Sequence, residues 1–484
     1  MNNIEKGKIL LKQSLVYGLA SSLQSVLGFL LLPILTQYYS TEEFGIYSLI
    51  LLFGSLCGAV FYFGASSSLG RFYFDKNSKD YINTIISSTL VVTSLGALLF
   101  ISGTFFFKNT ISSLIFDNNE YGWHLFICSV STSFGFLFTV MTLLLRYEKK
   151  AFTFLIITIS ALIINFSITY ILLVYFNYGI MAPLYGSMFS FMISFFILFF
   201  IKIREITIVF NKIFIKKIFV FGIQVAISSL FFYLLDYIDR FIMKELLPMS
   251  DVGVYSLGYR IAAVINILII LPFSYVWAPI RMEYANNKNN EDFVKIVFSY
   301  FSLIGFMFIV FFILFTESIL PIFIQNADFY EASRVIPLVM LGLFFYSYQN
   351  IIDFGIYLHQ KVYYYIIVSI LTIVLNVILN FWLLPKFGLI SAAYITIISY
   401  LFSSTLIYII SNRYYKLKLE WKKLIILILL LITIYSIINF IKFEIDFLSK
   451  VLIYIILSFF IYKFWLNGSE RNFLKTQLNN FNKI

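Results

Sequence analysis

The sequence predicts an all-α, polytopic integral membrane protein of about 14 transmembrane helices. Two pseudo-symmetric six-helix lobes and two further C-terminal helices account for that number. Three observations predict it. Apolar residues fill 61% of the 484 positions and charged residues only 12%, about half the roughly 25% usual in soluble domains. The apolar positions form continuous runs of about 18–27 residues, whereas outer-membrane barrels show alternating segments of about ten. More than three-quarters of the 35 Lys and Arg fall on one set of alternate connections. That asymmetry marks the cytoplasmic side and places both termini there. It also explains the net charge of +11 without any nucleic acid.

Taken in order, the first run covers 11–35. It is too long for a signal peptide, and it ends at Pro33 and a polar turn rather than a small-residue cleavage site. Runs at 44–66, 81–105, 122–145, 151–176 and 180–201 complete a first lobe, 1–211. Runs at 218–243, 253–280, 294–316, 333–358, 363–384 and 388–411 form a second lobe, 212–411. Pro272 and Pro279 are expected to bend the run at 253–280. Pro33, Pro183 and Pro385 sit near run ends, where proline costs little. A basic stretch, Arg413 to Lys423, opens the appended segment 412–484 with its runs at 424–441 and 448–466.

The two-lobe reading rests on an internal repeat. GIYSL at 45–49 recurs as GVYSL at 253–257, and YGIMAPLYGSMFS at 178–190 is echoed by FGLISAAYITIIS at 387–399. Arg71 corresponds to Arg281 and Lys150 to Lys361. All four matches share an offset of about 208–211 residues. Repeats in the same orientation relate by an axis along the membrane normal, with substrate bound between the halves.

Charges inside apolar runs point to function, because each costs about 2.5–3.5 kcal/mol on insertion scales. Asp236, Asp239 and Arg240 lie in the seventh run and Arg260 in the eighth. Asp236 and Arg260 fall at similar depth, and Asp236 and Arg240 share a helical face. We expect these runs to line a polar cavity in which Arg260 and Arg240 bind an anionic group. Asp236 and Asp239 would couple or gate transport; the alternative is that these charges form an internally paired structural network, or that Asp239 and Arg240 snorkel to the interface. Asp353 near the inner end of the tenth run is either a third gating or coupling carboxylate or a cytoplasmic-end cap. Arg71, Arg146 and Arg281 stand at inner run ends. They either anchor the protein at the interface or form a vestibule that collects an anion. Gln24, Asn165 and Asn376 are mid-run polar residues. They either bond neighbouring helices, like Asn266 and Asn380, or line the cavity. His124 reads as an interface residue, and the many Tyr and Phe as lipid-facing or belt residues rather than sugar platforms. Cys57 and Cys128 lie in apolar runs and suggest neither a disulfide nor a metal site. No cofactor is expected. With no Walker A, dinucleotide or HExxH motif, any pumping must draw on an ion gradient, the membrane potential or product consumption.

Several stretches resemble one family. They are LVYGLASSLQSVLGFLLLPILTQYYSTEEFGIYSLI at 15–50, LGRFYF at 69–74, the Asp239–Arg240 pair, VGVYSLGYRIA at 252–262 and WAPI at 277–280. Together they look like Wzx-type O-antigen and polysaccharide flippases of the multidrug/oligosaccharidyl-lipid/polysaccharide exporter superfamily. The resemblance implies a multi-pass protein of the bacterial plasma membrane and no enzyme. Its implied substrate is an undecaprenyl-diphosphate-linked oligosaccharide, moved from inner to outer leaflet for O-antigen, capsule or exopolysaccharide synthesis. Two lobes would alternate access around a cationic cavity, in contact with membrane lipids, with H⁺ or Na⁺ and the polymerase machinery as further partners. Related lipid II flippases carry a cavity arginine in the eighth span, where Arg260 falls, and basic residues in the first, where this chain offers only Gln24.

Three rivals stay open, one of them a scaffold without transport, which the buried charges and the duplicated lobes count against. A multidrug or metabolite exporter of the same superfamily should carry acidic residues in the first lobe, and runs 1–6 have none in their interiors. A membrane glycosyltransferase or polymerase needs a large external loop with catalytic acids. The longest external connection, about 317–332, is far below the roughly 40 residues a lone domain needs.

Overall fold

The computed structural model describes residues 29–76, 78–203, 207, 209–285, 291–417, 419–441 and 446–465. These residues form helices and no strand. In chain order the helices are α1 (Phe29–Tyr38), α2 (Thr41–Phe61), α3 (Ala65–Phe72), α4 (Lys79–Phe116), α5 (Gly122–Tyr147), α6 (Ala151–Val174), α7 (Met181–Lys202) and α8 (Lys212–Leu246). They continue as α9 (Met249–Ala262), α10 (Leu271–Ala285), α11 (Glu291–Phe323), α12 (Ala332–Ser347), α13 (Gln349–Ile352), α14 (Phe354–Leu358), α15 (Tyr363–Phe387), α16 (Leu389–Tyr414), α17 (Trp421–Ile441) and α18 (Phe447–Phe464). Among the described residues, 12 helical segments are long and apolar enough to cross a membrane. Two shorter apolar helices, Phe29–Tyr38 and Phe447–Ile461, stand where the first and last spans are expected. Gln24 lies outside the described residues.

The chain divides into two compact units. One is 1–257 with 369–392, and the other is 258–368 with 393–484. In the first unit α2 begins at a capping box that the sequence spells as Ser-Thr-Glu-Glu. Ser40 N–H donates to Glu43 Oε2 at 2.8 Å, and Glu43 N–H donates to Ser40 Oγ at 3.1 Å. Buried Ala182, Gly186, Ser190 and Ser194 recur every fourth residue along α7. This stripe of small residues lets α7 press closely on α5 and α6. With 38 residues, α4 is about 57 Å long, well beyond the roughly 30 Å of hydrocarbon. Exposed Phe105, Phe106, Phe107 and Trp123 form an aromatic belt around it, and Lys108 Nζ lies 4.1 Å from the Trp123 ring.

The run at 44–66 is interrupted in the structure. Phe63 and Gly64 have left-handed backbones, with φ of 48° and 54°, and they separate α2 from α3. Helix α8 packs on α2, α3 and α4, which is why it is counted with this unit. At the break a Cβ on Gly222 of α8 would overlap the Phe63 carbonyl, and Ser68 Oγ donates to the Ile218 carbonyl at 3.0 Å. The other end of α2 makes a second close crossing. Gly45 and Gly253, the paired glycines of GIYSL and GVYSL, abut: a Cβ on either would lie 3.0 Å from the other's backbone nitrogen.

In the second unit α11 packs on α12, α17 and α18. The appended helices are tied to it by polar contacts. Ser299 Oγ donates to Glu420 at 3.0 Å, and Lys450 Nζ donates to Ser318 at 3.1 Å. Burial pushes the Glu420 carboxyl up, but hydrogen bonds from Lys423 and Ser299 outweigh it and hold the group below the usual carboxylate range. Pro272 cannot donate to the preceding turn, and the helix meets this with a π segment, Asn266–Ile270. The run at 333–358 is not one helix: it breaks around Tyr348 and Asp353 into α12, α13 and α14.

The glycine crossing gives a direct test. Gly253→Leu forces side-chain atoms against backbone, and overpacking of this kind costs about 1–3 kcal/mol or more. The unfolding midpoint of the detergent-purified variant should drop by several degrees. Gly103→Leu is the control, since nothing lies within 4 Å of its Cβ position, and it should leave the midpoint within about one degree.

Candidate functional site

The first unit holds a cavity of about 660 Å³, within the roughly 300–1,000 Å³ usual for small-molecule sites. Helices α2, α3, α5, α6, α7 and α8 contribute to its wall. Ten serine and threonine side chains line it within a larger apolar surface: Ser55, Ser66, Ser67, Ser131, Thr132, Thr139, Thr142, Thr158, Ser187 and Ser229. One side chain among the described lining residues carries a full charge, Arg146. Aromatic rings also line the cavity, among them Tyr62, Phe136 and Tyr233. Tyr62 stacks on Phe136 with centroids 4.4 Å apart and 13° between planes. The break between α2 and α3 explains this placement, because it turns Tyr62, Gly64, Ser66 and Ser67 onto one wall. Sequence periodicity gave no sign of that interruption.

Of the proposed charges, Asp239 and Arg240 are both only 3% exposed. Arg240 Nη1 donates to Asp239 Oδ1 at 3.3 Å and to the Asp236 carbonyl at 2.5 Å. Tyr255, on the next helix, donates its hydroxyl to Asp239 Oδ2 at 2.6 Å. The rings of Tyr237 and Tyr255 lie 5.5 and 5.4 Å from the guanidinium. The pair is thus internally answered in this conformation. Its members are neighbours in sequence, and such neighbours do not share a helix face. The long arginine side chain folds back to make the contact.

Arg71 is on the surface, its side chain 57% exposed, and pairs with Asp75 one turn on at 3.0 Å. Asn165 accepts from Thr169 Oγ1 at 3.1 Å and sits beside Gly186 at the α6–α7 crossing. Asn376 is buried and accepts from Asn380 Nδ2 at 2.8 Å. Both asparagines therefore bond within their own helices.

In the second unit Arg260 is half-buried on α9. Arg281 and Asp353, which the sequence places in different roles, meet each other. Arg281 Nη1 donates to Asp353 Oδ1 at 2.8 Å and to the Asn350 carbonyl at 3.2 Å. Its guanidinium lies 4.2 Å from the Tyr357 ring. Tyr365 donates to Asp353 Oδ2 at 2.6 Å, and Trp277 Nε1 donates to the Asn350 carbonyl at 2.8 Å. The break at Asp353 brings these groups together. The Arg281 side chain is 14% exposed. Sequence reasoning missed Tyr255, Tyr365 and Trp277, which look like belt aromatics until their hydroxyl or indole partners are known.

Asp239→Ala should destabilise the protein by about 3–5 kcal/mol, because it strands a buried guanidinium. Asp239→Leu combined with Arg240→Met should recover most of that loss in a thermal-unfolding or protease-resistance assay. Equal damage from the single and double variants would show that the two side chains are not energetically coupled.

The family model described as polysaccharide biosynthesis protein matches residues 10–285, and a second, MatE, matches residues 225–382. No curated protein matches the chain. The inward closed conformation of the lipid II flippase MurJ superimposes with a TM-score of 0.74, at 19% identity, over 93% of this chain and 99% of that one. An inward-facing multidrug resistance MATE family transporter of the MOP superfamily gives 0.63, at 15% identity, over 80% and 94%. The Vibrio cholerae MATE transporter VcmN gives 0.56, at 13% identity, over 85% and 98%. The polysaccharide model spans more than half of the chain, and the folds agree along nearly all of it; the chain belongs to the polysaccharide biosynthesis protein family.

Proposed function

We propose that this chain is a flippase that carries lipid-linked oligosaccharide from the inner to the outer leaflet of the bacterial plasma membrane. The observation that carries this reading is the chemistry of the cavity. A glycan headgroup cannot cross hydrocarbon without exchanging its water for other hydrogen-bond partners. A wall of hydroxyls with aromatic rings and one cation offers those partners to a neutral or anionic polyol. The headgroup would be the undecaprenyl-diphosphate-linked repeat unit of a surface polysaccharide: O-antigen, capsule or exopolysaccharide. Two six-helix lobes, 1–211 and 212–411, would alternate access to it while the lipid tail stays in the bilayer. Arg260 is the proposed headgroup contact of the second lobe. Asp236, Asp239 and Asp353 are the proposed coupling carboxylates, with H⁺ or Na⁺ as the ion and polymerase machinery downstream. The chain would move its substrate without transforming it.

A cation exporter is the second reading, and the MatE match over 225–382 favours it. The cavity argues against it, since no carboxylate stands among its described lining residues.

The deciding measurement is the lipid-linked oligosaccharide pool of a deletion strain, by extraction and mass spectrometry, alongside surface glycan. Accumulated diphosphate-linked repeat units with lost surface glycan are expected. Unchanged pools with a gain in sensitivity to cationic dyes would favour the exporter. Arg260→Ala should abolish complementation while the protein remains in the membrane at normal level; normal surface glycan in that variant would remove Arg260 from the site.

A further inference from the structure

The second unit has a cavity of its own, about 480 Å³, where the connection 317–332 joins α11 to α12. Five polar side chains line it: Glu317, Tyr330, Glu331, Ser333 and Arg334. Two are acidic and one is basic, yet none of the five side chains makes a hydrogen bond or an ion pair among the described residues. Carboxylates elsewhere are engaged: Glu148 by Lys150 and Lys202, Asp239 by Arg240, Asp353 by Arg281 and Glu420 by Lys423. Lys450 of α18 donates to Ser318 at 3.1 Å and leaves the neighbouring Glu317 without an ion pair.

The backbone adds acceptors at the same place. Pro321 lies inside α11 and Pro337 inside α12. Proline has no N–H, so each removes the helical hydrogen bond to the carbonyl four residues earlier. Those two carbonyls belong to Glu317 and Ser333, and both residues line the cavity. Two carboxylates and two such carbonyls therefore gather around one cavity, with a single guanidinium beside them. A bare divalent cation is a poor match. It takes six or more oxygen ligands, Arg334 would repel it, and no group of three His, Cys, Asp or Glu that could hold a metal occurs among the described residues. An ammonium group fits better, because it has three donors and no acceptor.

We propose that this cavity binds a zwitterionic membrane phospholipid whose headgroup joins a primary ammonium to a phosphate. The ammonium donates to Glu317, Glu331 and a proline-freed carbonyl. The phosphate turns toward Arg334 and the hydroxyls of Tyr330 and Ser333. Glu331 and Arg334 stand three residues apart, a spacing of about 5–6 Å between Cβ atoms on a helix, and the two-carbon linker of ethanolamine phosphate spans such a gap. A quaternary ammonium has no N–H to donate, and one tyrosine ring is no aromatic cage, so the site distinguishes ethanolamine from choline. The position suits a lipid. The segments Val294–Phe323 and Ala327–Ile352 are each long and apolar enough to cross a membrane, and the cavity lies where one ends and the next begins. Ile322 and Phe323, 74% and 55% exposed, offer an apolar surface beside it for acyl chains. The connection 317–332 is read as external, which makes the outer leaflet the source. The flippase reading is not needed for this assignment.

The test is native mass spectrometry of the full chain, delipidated in detergent and then mixed with phosphatidylethanolamine and phosphatidylcholine of identical acyl chains. The wild type should retain one phosphatidylethanolamine per chain, preferred over phosphatidylcholine by about tenfold, the lower end of the range for hydrogen bonds to a charged group. Glu317→Gln and Glu331→Gln should each remove most of that preference, while Glu120→Gln, on another connection, should keep it. Both glutamates of the site are exposed, so the variants should fold, and a thermal midpoint near that of the wild type verifies it. Equal retention of the two lipids by the wild type would overturn the proposal without recourse to any variant. A preference that survives in both folded variants would place the ammonium elsewhere and overturn the site. Soluble glycerophosphoethanolamine is the remaining probe. Glu331-dependent binding of it as tight as that of the lipid would overturn the membrane source in favour of a free zwitterion, and binding at least tenfold weaker supports the lipid.

Discussion

Hydrocarbon offers no hydrogen-bond partner, so a charge placed inside it must be answered by the protein. That constraint orders the charged residues of this chain. Asp239 is met by Arg240 and the Tyr255 hydroxyl. Asp353, in the other unit, is met by Arg281 and the Tyr365 hydroxyl. The two clusters have unrelated positions in the sequence and the same composition: a carboxylate held between a guanidinium and a phenol. Each is more than an ion pair. The phenol supplies the second hydrogen bond that a lone arginine leaves unmade, and a buried carboxylate tolerates no missing partner.

The same constraint gives meaning to the hydroxyl wall of the first unit. Ser and Thr can lie in a membrane helix cheaply, because each can return its proton to a carbonyl one turn back, as Thr89 and Thr93 do. Gathered on one wall, they are polar enough for a sugar and harmless to the helices when nothing is bound. A wall of carboxylates or amines could not be left empty on such terms. Among the described lining residues of this cavity, such hydroxyls stand with a single cation at a helix end.

Much of the fold was legible in the sequence, and the reasons are local. Apolar run length gives the spans, Ser40 and Glu43 announce the start of α2, and the paired GIYSL and GVYSL stretches mark glycines that prove to touch. The site was less legible. Asp239 and Arg240 were singled out as charges in an apolar run, but their pairing depends on a side chain folding back and on Tyr255 from another helix. Arg281 and Asp353 are far apart in the chain and meet only because the tenth run breaks at Asp353, without a glycine or proline at the break. Arg146 was read from its place at a run end, where basic residues are ordinary. What distinguishes it is that it lines the cavity and meets no carboxylate among the described residues.

The meeting of Gly45 with Gly253 has an evolutionary consequence. Under the proposed duplication these two positions are copies of one another. A residue that touches its own copy lies on the axis that relates the copies, as at the centre of a two-fold dimer interface. A half-length ancestor would have made this contact between two identical subunits, with one codon specifying both sides. Fusion into a single chain releases that tie. Each codon can now change alone, but neither glycine can gain a side chain unless the partner helix withdraws.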